Sequence, residues 1–425
     1  MLSLFSASLA GAAAFLLGAS SVQAYGTGFT NQKVVSAYYP SYQMDPAAVP
    51  YSLYTHLDYF VFTTTSSPSA ISQAGIDDSL ISNFVNRAHA AGTTVSYTVG
   101  GWTGSQYFSP HVSTAANRAT FARTLVAVMN RYGFDGIDID WEYPGNANGE
   151  GDNIWSTADA ANLVLFLQTL RSVAGVNARL SMAVSVSGVT GADGNPLKDM
   201  RDFAAVLDYI TIMSYDITGT WSGYTGPNTP LYSTCAPADN KFSIDSGIRL
   251  YSAAGFSTAH MLIGFPAYSY SYYVTSPLAK TTCTDGTTST LYQYPTKGSK
   301  CGNYIGNGPQ YLYSQLVANN WFKSQTGFRR IFDKPSYTWT LWNPSTNLYI
   351  PTETPITAWA KARSIFQRRC AGVNMFDASG DTPTGSLATA LRIGLHIDKT
   401  STVPAQKRAK RHLEEKKRKR SSALH

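Results

Sequence analysis

Cysteine is scarce in this 425-residue sequence, with only Cys235, Cys283, Cys301 and Cys370. So few exclude a disulfide-dense scaffold or a cysteine-rich carbohydrate-binding module, and the length suffices for one large domain or two medium ones with a proper core. In an exported chain the four admit three pairings, of which Cys283 with Cys301, closest in sequence, is the expected one. No Asn-x-Ser/Thr with a permitted middle residue occurs, so N-glycosylation is not expected. Long apolar runs are missing beyond the first two dozen residues. There MLSLFSASLAGAAAFLLGASSVQA (1–24) ends in Val22-Gln23-Ala24, small or short side chains that suit signal peptidase. It is too short and too broken by Ser and Gly for an anchor, so the expectation is a secreted protein, extracellular or in a cell wall, with no membrane partner.

A net positive charge is also missing from most of the chain. The net charge is +7, from 33 Lys and Arg against 26 Asp and Glu. The segment AQKRAKRHLEEKKRKR (405–420) holds nine basic and two acidic residues, so its own balance, 9 − 2 = +7, accounts for all of it. The neutral body excludes a nucleic-acid-binding face, and 398–425 reads as a solvated basic tail.

What is present is a count. The β-rich runs VVSAYYP (from Val34), LDYFVFTTT (Leu57), TTVSYTVGGW (Thr93), FDGIDIDWEYP (Phe134), RLSMAVSVSG (Arg179), DYITIMSYD (Asp208), HMLIGFPAYS (His260) and CAGVNMFDASGD (Cys370) alternate with helical patterns. Among the latter are DSLISNFVNRAHAAG, STAANRATFARTLVAVMNRYG, TADAANLVLFLQTLRSVAG and TPITAWAKARSIFQRR. Eight strands alternating with eight helical connections imply parallel pairing through right-handed crossovers, and predict an α/β (β/α)8 TIM barrel over 30–397. An open doubly wound sheet is the other arrangement, but no Gly-rich dinucleotide loop follows the first strand. The stretch 268–352, rich in Tyr, Thr and Gly, is too long for a plain loop and reads as a small β-rich insertion between strand 7 and helix 7, walling a cleft.

The fourth run crowds four carboxylates into 135–142. Strand alternation sends Asp138, Asp140 and Glu142 to one face and Ile137, Ile139 and Trp141 to the other. An acidic edge strand or a divalent-cation site would also use such a row, but clustered carboxylates with pKa values forced apart are the usual form of acid/base machinery, and barrel sites lie at the C-terminal strand ends where Glu142 falls.

DGIDIDWE fits the DxxDxDxE signature of glycoside hydrolase family 18, the chitinases, and other stretches support the resemblance. TVGGW (from Thr98) resembles the family's SxGG motif on the third strand, with Thr in place of Ser. MSYDITGTWSGYTGPNTPLY (from Met213) resembles the MxYD motif of the sixth strand, and GFPAY (from Gly264) the end of the seventh. The resemblance covers about 33–397, and the segment 268–352 looks like the small α+β insertion of deep-cleft chitinases.

It implies a chitinase acting on chitin or chitooligosaccharides, with no cofactor and no metal, and a monomer. Family members use the substrate's own 2-acetamido oxygen as nucleophile, so Glu142 becomes the acid, Asp140 the residue that holds the acetamido N–H, Asp138 the deeper proton-sharing partner, and Tyr215 the donor to the acetamido carbonyl. Asp216 matches a substrate-contacting Asp, and Tyr38, Gly101, Trp102, Met213, Trp221, Tyr268 and Phe376 complete the expected binding set. Phe376 stands where members often carry a Trp beneath the central sugar, with less stacking area and no N–H donor. Trp342 joins Trp102 and Trp221 as a candidate for stacking on sugar rings, and Asp135 reads as a holder of strand geometry. Two other functions share the motif: a chitin-binding lectin-like protein, which usually lacks the acid, and an endo-β-N-acetylglucosaminidase.

Overall fold

The computed structural model describes residues 33–397, apart from 74–76, 148, 150, 152, 278–279 and 296–302. The leader and the basic tail expected above lie outside the described residues. Eight strands form the barrel: β1 (Val34–Pro40), β2 (His56–Thr64), β3 (Thr94–Gly100), β4 (Gly136–Asp140), β5 (Arg179–Ser185), β6 (Tyr209–Met213), β7 (Met261–Pro266) and β8 (Gly372–Phe376). Each pairs in parallel with the next, and β8 pairs with β1, which closes the sheet.

β4 shows why the sequence folds this way. Ile137, Ile139 and Trp141 join the apolar core between barrel and helices, while Asp138 and Asp140 turn into the barrel. Burying each of the three apolar side chains is worth about 1.5–3 kcal/mol, and a one-residue slip would trade them for carboxylates, so register is strongly fixed. The surrounding helices have clear boundaries. Asp77 caps Asp78–Ala90 through the N–H of Ser79, and Thr114 caps Ala115–Tyr132, which ends at Gly133 with φ 77°. Thr354 and Thr357 cap Pro355–Gln367 reciprocally.

One connection differs from expectation. Between β1 and β2 the chain makes two 3-10 turns, Pro46–Ala48 and Tyr51–Leu53, and no α-helix, because Pro46 and Pro50 break the segment too often for one.

The insertion leaves after β7 and returns before the helix Pro355–Gln367. It builds an antiparallel five-stranded sheet, in the order Tyr304–Asn307, Tyr272–Val274, Leu348–Thr352, Thr338–Asn343, Arg329–Asp333, over a small core of Leu316, Phe328, Leu341, Leu348 and Ile350. Its two ends meet where the Ser269 hydroxyl donates to Thr352 Oγ1 at 2.8 Å. Two expectations fail here. Cys283 pairs with Cys235, which tethers the insertion to the β6–β7 loop, and not with Cys301, which lies outside the described residues. Sequence proximity misled because the fold brings the loop after β6 against the insertion. Trp342 is 8% exposed and donates its indole N–H to the Val274 carbonyl at 2.9 Å, so it fills the insertion's interior and offers no face to a ligand.

Candidate active site

The acid row stands at the C-terminal mouth of β4, and each carboxyl has different surroundings. Asp138, 1% exposed, accepts from Ser181 Oγ (2.6 Å), Thr98 Oγ1 (3.1 Å) and Tyr38 OH (3.4 Å). Those donors favour its ionised form, yet burial, followed by the charge of Asp58, pushes it up to about 7. Asp140, 4% exposed, has an Oδ1 with no hydrogen-bond partner among the described residues. Burial and then the charges of Glu142 and Asp138 raise Asp140 well above the carboxylate range, so the middle of the row holds a proton most tightly. Glu142 follows the strand end, half-buried, with its backbone N–H on Ser105 Oγ at 3.0 Å. Burial, then the charge of Asp216, raises it to about 7, against a hydrogen bond from Tyr143. Among the charges, Asp216 is the one that raises Glu142, and the repulsion within the row falls on Asp140.

Asp135 takes no part in the row. Its Oδ2 accepts from His89 Nε2 at 2.9 Å and from the N–H of Val95 at 2.8 Å, which fastens the start of β4 to the helix Asp78–Ala90 and to β3.

Aromatic rings close the mouth around Phe376, the last residue of β8. Tyr38, Phe60, Tyr215 and Tyr268 surround it with centroid distances of 5.6, 5.5, 5.9 and 6.2 Å. Met213 and Ala183 pack into the same cluster. Tyr268 and Tyr270, from the insertion, donate to Asp216 Oδ1 at 2.5 and 2.8 Å. Asp216 sits at φ 56° with its N–H on Asn228 Oδ1 at 2.6 Å. The β6 loop and the insertion therefore form one wall. Trp102 and Trp221 are 50% and 60% exposed on the rims after β3 and β6, and Trp221 meets Tyr270 edge-on at 5.1 Å. Every expected site residue except Trp342 lies in or beside this opening.

The Gly100-Gly101 turn is dictated by close approach. A Cβ on Gly100, at φ 114°, would stand 2.1 Å from the Asp140 carbonyl oxygen, and the Gly101 N–H donates to that same oxygen at 2.8 Å. The sequence reading did not pick out Ser105. Its buried hydroxyl donates to the Gly101 (2.8 Å) and Asp140 (3.1 Å) carbonyls while accepting from Glu142, so it stitches the β3 loop to the acid strand. Phe60 was also missed, though the inward alternation His56, Asp58, Phe60 on β2 carries the signal. Three non-proline peptide bonds at the mouth are cis: Phe60–Val61, Glu142–Tyr143 and Phe376–Asp377.

Comparison with known proteins gives a consistent picture. The sequence model described as Glycosyl hydrolases family 18 matches residues 33–381. A chitinase-like effector of Moniliophthora roreri is 32% identical over 371 residues, which are 82% of this chain and 89% of that one. Chitinase 1 of Aphanocladium album is 34% identical over 192 residues, 44% of this chain and 43% of its own. Among solved structures, a chitinase from Rhizomucor miehei superposes with a TM-score of 0.74 at 24% identity, covering 85% of this chain and all (100%) of the other. Similarity at that identity establishes a shared fold.

Proposed function

The chain belongs to glycosyl hydrolases family 18 and is a glycoside hydrolase, and we propose that it cuts β-1,4 bonds between N-acetylglucosamine units of chitin with retention, the substrate's acetamido oxygen acting as nucleophile. The observation that carries this reading is the row itself: three carboxyls along one strand and its exit, with Asp140 held protonated between Asp138 and Glu142, both raised to about 7.

Glu142 is the general acid. A carboxyl raised to about 7 keeps its proton at mildly acidic pH and can still give it up to the leaving oxygen. Asp140 presents a buried oxygen with no hydrogen-bond partner among the described residues, an acceptor suited to the acetamido N–H, which would align the carbonyl oxygen for attack on the anomeric carbon. Asp138 shares the row's proton as Asp140 changes partners. The Tyr215 hydroxyl, which burial and then the charge of Asp140 keep from ionising, donates to the acetamido oxygen. Phe376 and its surrounding rings supply an apolar surface for the central sugar, and Trp102 and Trp221 supply stacking faces for further units.

The test is a product profile from a labelled hexamer of N-acetylglucosamine, with anomeric configuration read early. Wild type should release shorter oligomers in the β configuration, and Glu142→Gln should cut kcat about a thousandfold while oligomer binding survives. On partly deacetylated chitosan, new reducing ends should be N-acetylated, since glucosamine lacks the nucleophile. Inverted products, or glucosamine equally common at new reducing ends, would overturn the mechanism. Similarity to proteins named chitinase-like effectors supports a second reading, chitin binding without cleavage; wild-type turnover no faster than Glu142→Gln would select it.

A further inference from the structure

Beneath the acid row, the barrel interior carries a second set of charges. Tyr38, Asp58, Ser96, Gly136 and Arg179 are in register across β1 to β5 and form one tier; Thr98, Asp138 and Ser181 form the tier above. Same-face neighbours along a strand are about 6.6 Å apart. Asp58 and Arg179 are 1% and 2% exposed. Asp58 Oδ1 lies 3.0 Å from His56 Nε2, and Oδ2 accepts from Asn374 Nδ2 at 2.8 Å. The Arg179 guanidinium lies over the Tyr209 ring at 4.5 Å, and its Nε and Nη2 have no hydrogen-bond partner among the described residues. Between the two stands Gly136, where a Cβ would meet Ser96 Oγ and the Arg179 Cβ at 2.7 Å. No side chain on β4 therefore screens Asp138 from the charges below it.

We propose that Asp58 is a positioning residue for hydrolysis: an ionised carboxylate one tier down whose charge keeps a proton within the Asp138–Asp140 pair, with Arg179 as the opposing charge that sets how tightly. This rests on the hydrolase reading above. Asp138 accepts three hydroxyl hydrogen bonds, which alone would favour its ionisation and leave Asp140 without a proton-sharing partner. Burial opposes ionisation of Asp58, but His56, Arg179 and Asn374 outweigh it and hold the carboxyl below its ordinary value. Burial, then Arg179, lowers His56, so it stays neutral at the pH where the row works. After burial, Asp58 is the leading influence raising Asp138, and Arg179 acts against it. The other titratable groups of the interior are Tyr38 on β1, His56 on β2, Asp140 at the end of β4 and Glu142 just beyond it, and Tyr209 at the start of β6 and Tyr215 just beyond its end. The inward residues Ser96 and Thr98 of β3, Ser181 of β5, Leu262 and Gly264 of β7 and Asn374 of β8 do not titrate.

The test is the pH profile of kcat/KM on the labelled hexamer for wild type, Asp58→Asn and Arg179→Gln. Removing the negative charge should move both limbs to lower pH by about one unit, and removing the positive charge should move them to higher pH by a similar amount. Damage to the fold lowers the height of the curve without displacing it in opposite directions for opposite charges. Midpoints that stay within about 0.3 unit of wild type, or that move the same way in both variants, overturn the proposal. A second readout needs no turnover and no Arg179 variant: the carbon-13 carboxyl titration of Asp138 in Glu142→Gln, with and without Asp58→Asn. A lower Asp138 midpoint without Asp58 upholds the coupling, and an unchanged one removes it. A wild type that fails to cut the hexamer would sink the hydrolase reading and leave this titration to decide the coupling alone.

Discussion

Ser105→Ala removes one oxygen atom and, with it, the stitch between two strand exits. The hydroxyl is fully buried and joins three backbone groups: it accepts from the Glu142 N–H at 3.0 Å and divides its proton between the carbonyls of Gly101 at 2.8 Å and Asp140 at 3.1 Å. The two carbonyls lose less than the donor does, because the Asp140 oxygen still accepts from the Gly101 N–H at 2.8 Å. Glu142 is left with a backbone donor facing the cavity of a missing hydroxyl. An unpaired buried donor costs about 1–3 kcal/mol, so unfolding in denaturant should show a loss of about 2 kcal/mol. The kinetic effect should be larger in proportion, since the freed peptide carries the acid. A shift of a fraction of an ångström in Glu142 should lower kcat on the hexamer by about tenfold or more with little change in KM. Ser105→Cys, with a weak donor of similar size, should fall between. A Ser105→Ala protein with kcat within about twofold of wild type would refute the idea that this hydroxyl sets the acid's position.

The pH dependence follows from the same groups. Asp138 and Glu142 have folded values near 7, above the unfolded 3.8 and 4.5, so their contribution to stability is fully present below about pH 4 and is lost as pH rises towards 7. Glu142→Gln should therefore raise the Tm relative to wild type more at pH 8 than at pH 4, and wild-type activity should fall as pH rises through about 7. Gly100→Ala should be severely destabilising, because its Cβ would stand 2.1 Å from a carbonyl oxygen that cannot retreat without moving Asp140; ordinary soluble yield and melting would refute this. Trp102→Ala and Trp221→Ala should raise KM for long oligomers with the melting point kept, whereas Trp342→Ala should lower the melting point by loosening the insertion. Cys235→Ser opens a bridge spanning 48 residues, for which a loss of about 2–4 kcal/mol is expected under non-reducing conditions, and no loss once wild type is reduced.

The barrel was legible because its signals are local. β1 begins and ends where its sequence run does, and the acid row could be read from alternation on β4 alone. The Asp77, Thr114 and Thr354 caps are likewise set by neighbouring residues. What could not be read depends on loops meeting in space. Nothing near Ser105 in sequence says that its hydroxyl reaches Glu142, 37 residues on. Cys283 finds Cys235 only because the insertion folds back on the β6 loop, and Trp342 resembles a stacking residue until the five-stranded sheet buries it. Asp58 is the one acid of β2, HLDYFVFTT, where it looks incidental until Arg179 is seen on the same tier.

The junction of Ser269 with Thr352 has a consequence for how this chain could be rebuilt. The two hydroxyls are 2.8 Å apart although 83 residues separate them, so the whole excursion departs and returns through one doorway. A short Gly-Ser bridge across that doorway would leave every barrel strand, and the order in which they pair, as they are. Such a shortened protein would keep the Tyr268 hydrogen bond to Asp216 and lose that of Tyr270, turning a walled trench into an open dish, and its KM for short and long oligomers would show how much of oligomer binding belongs to the wall and how much to the floor.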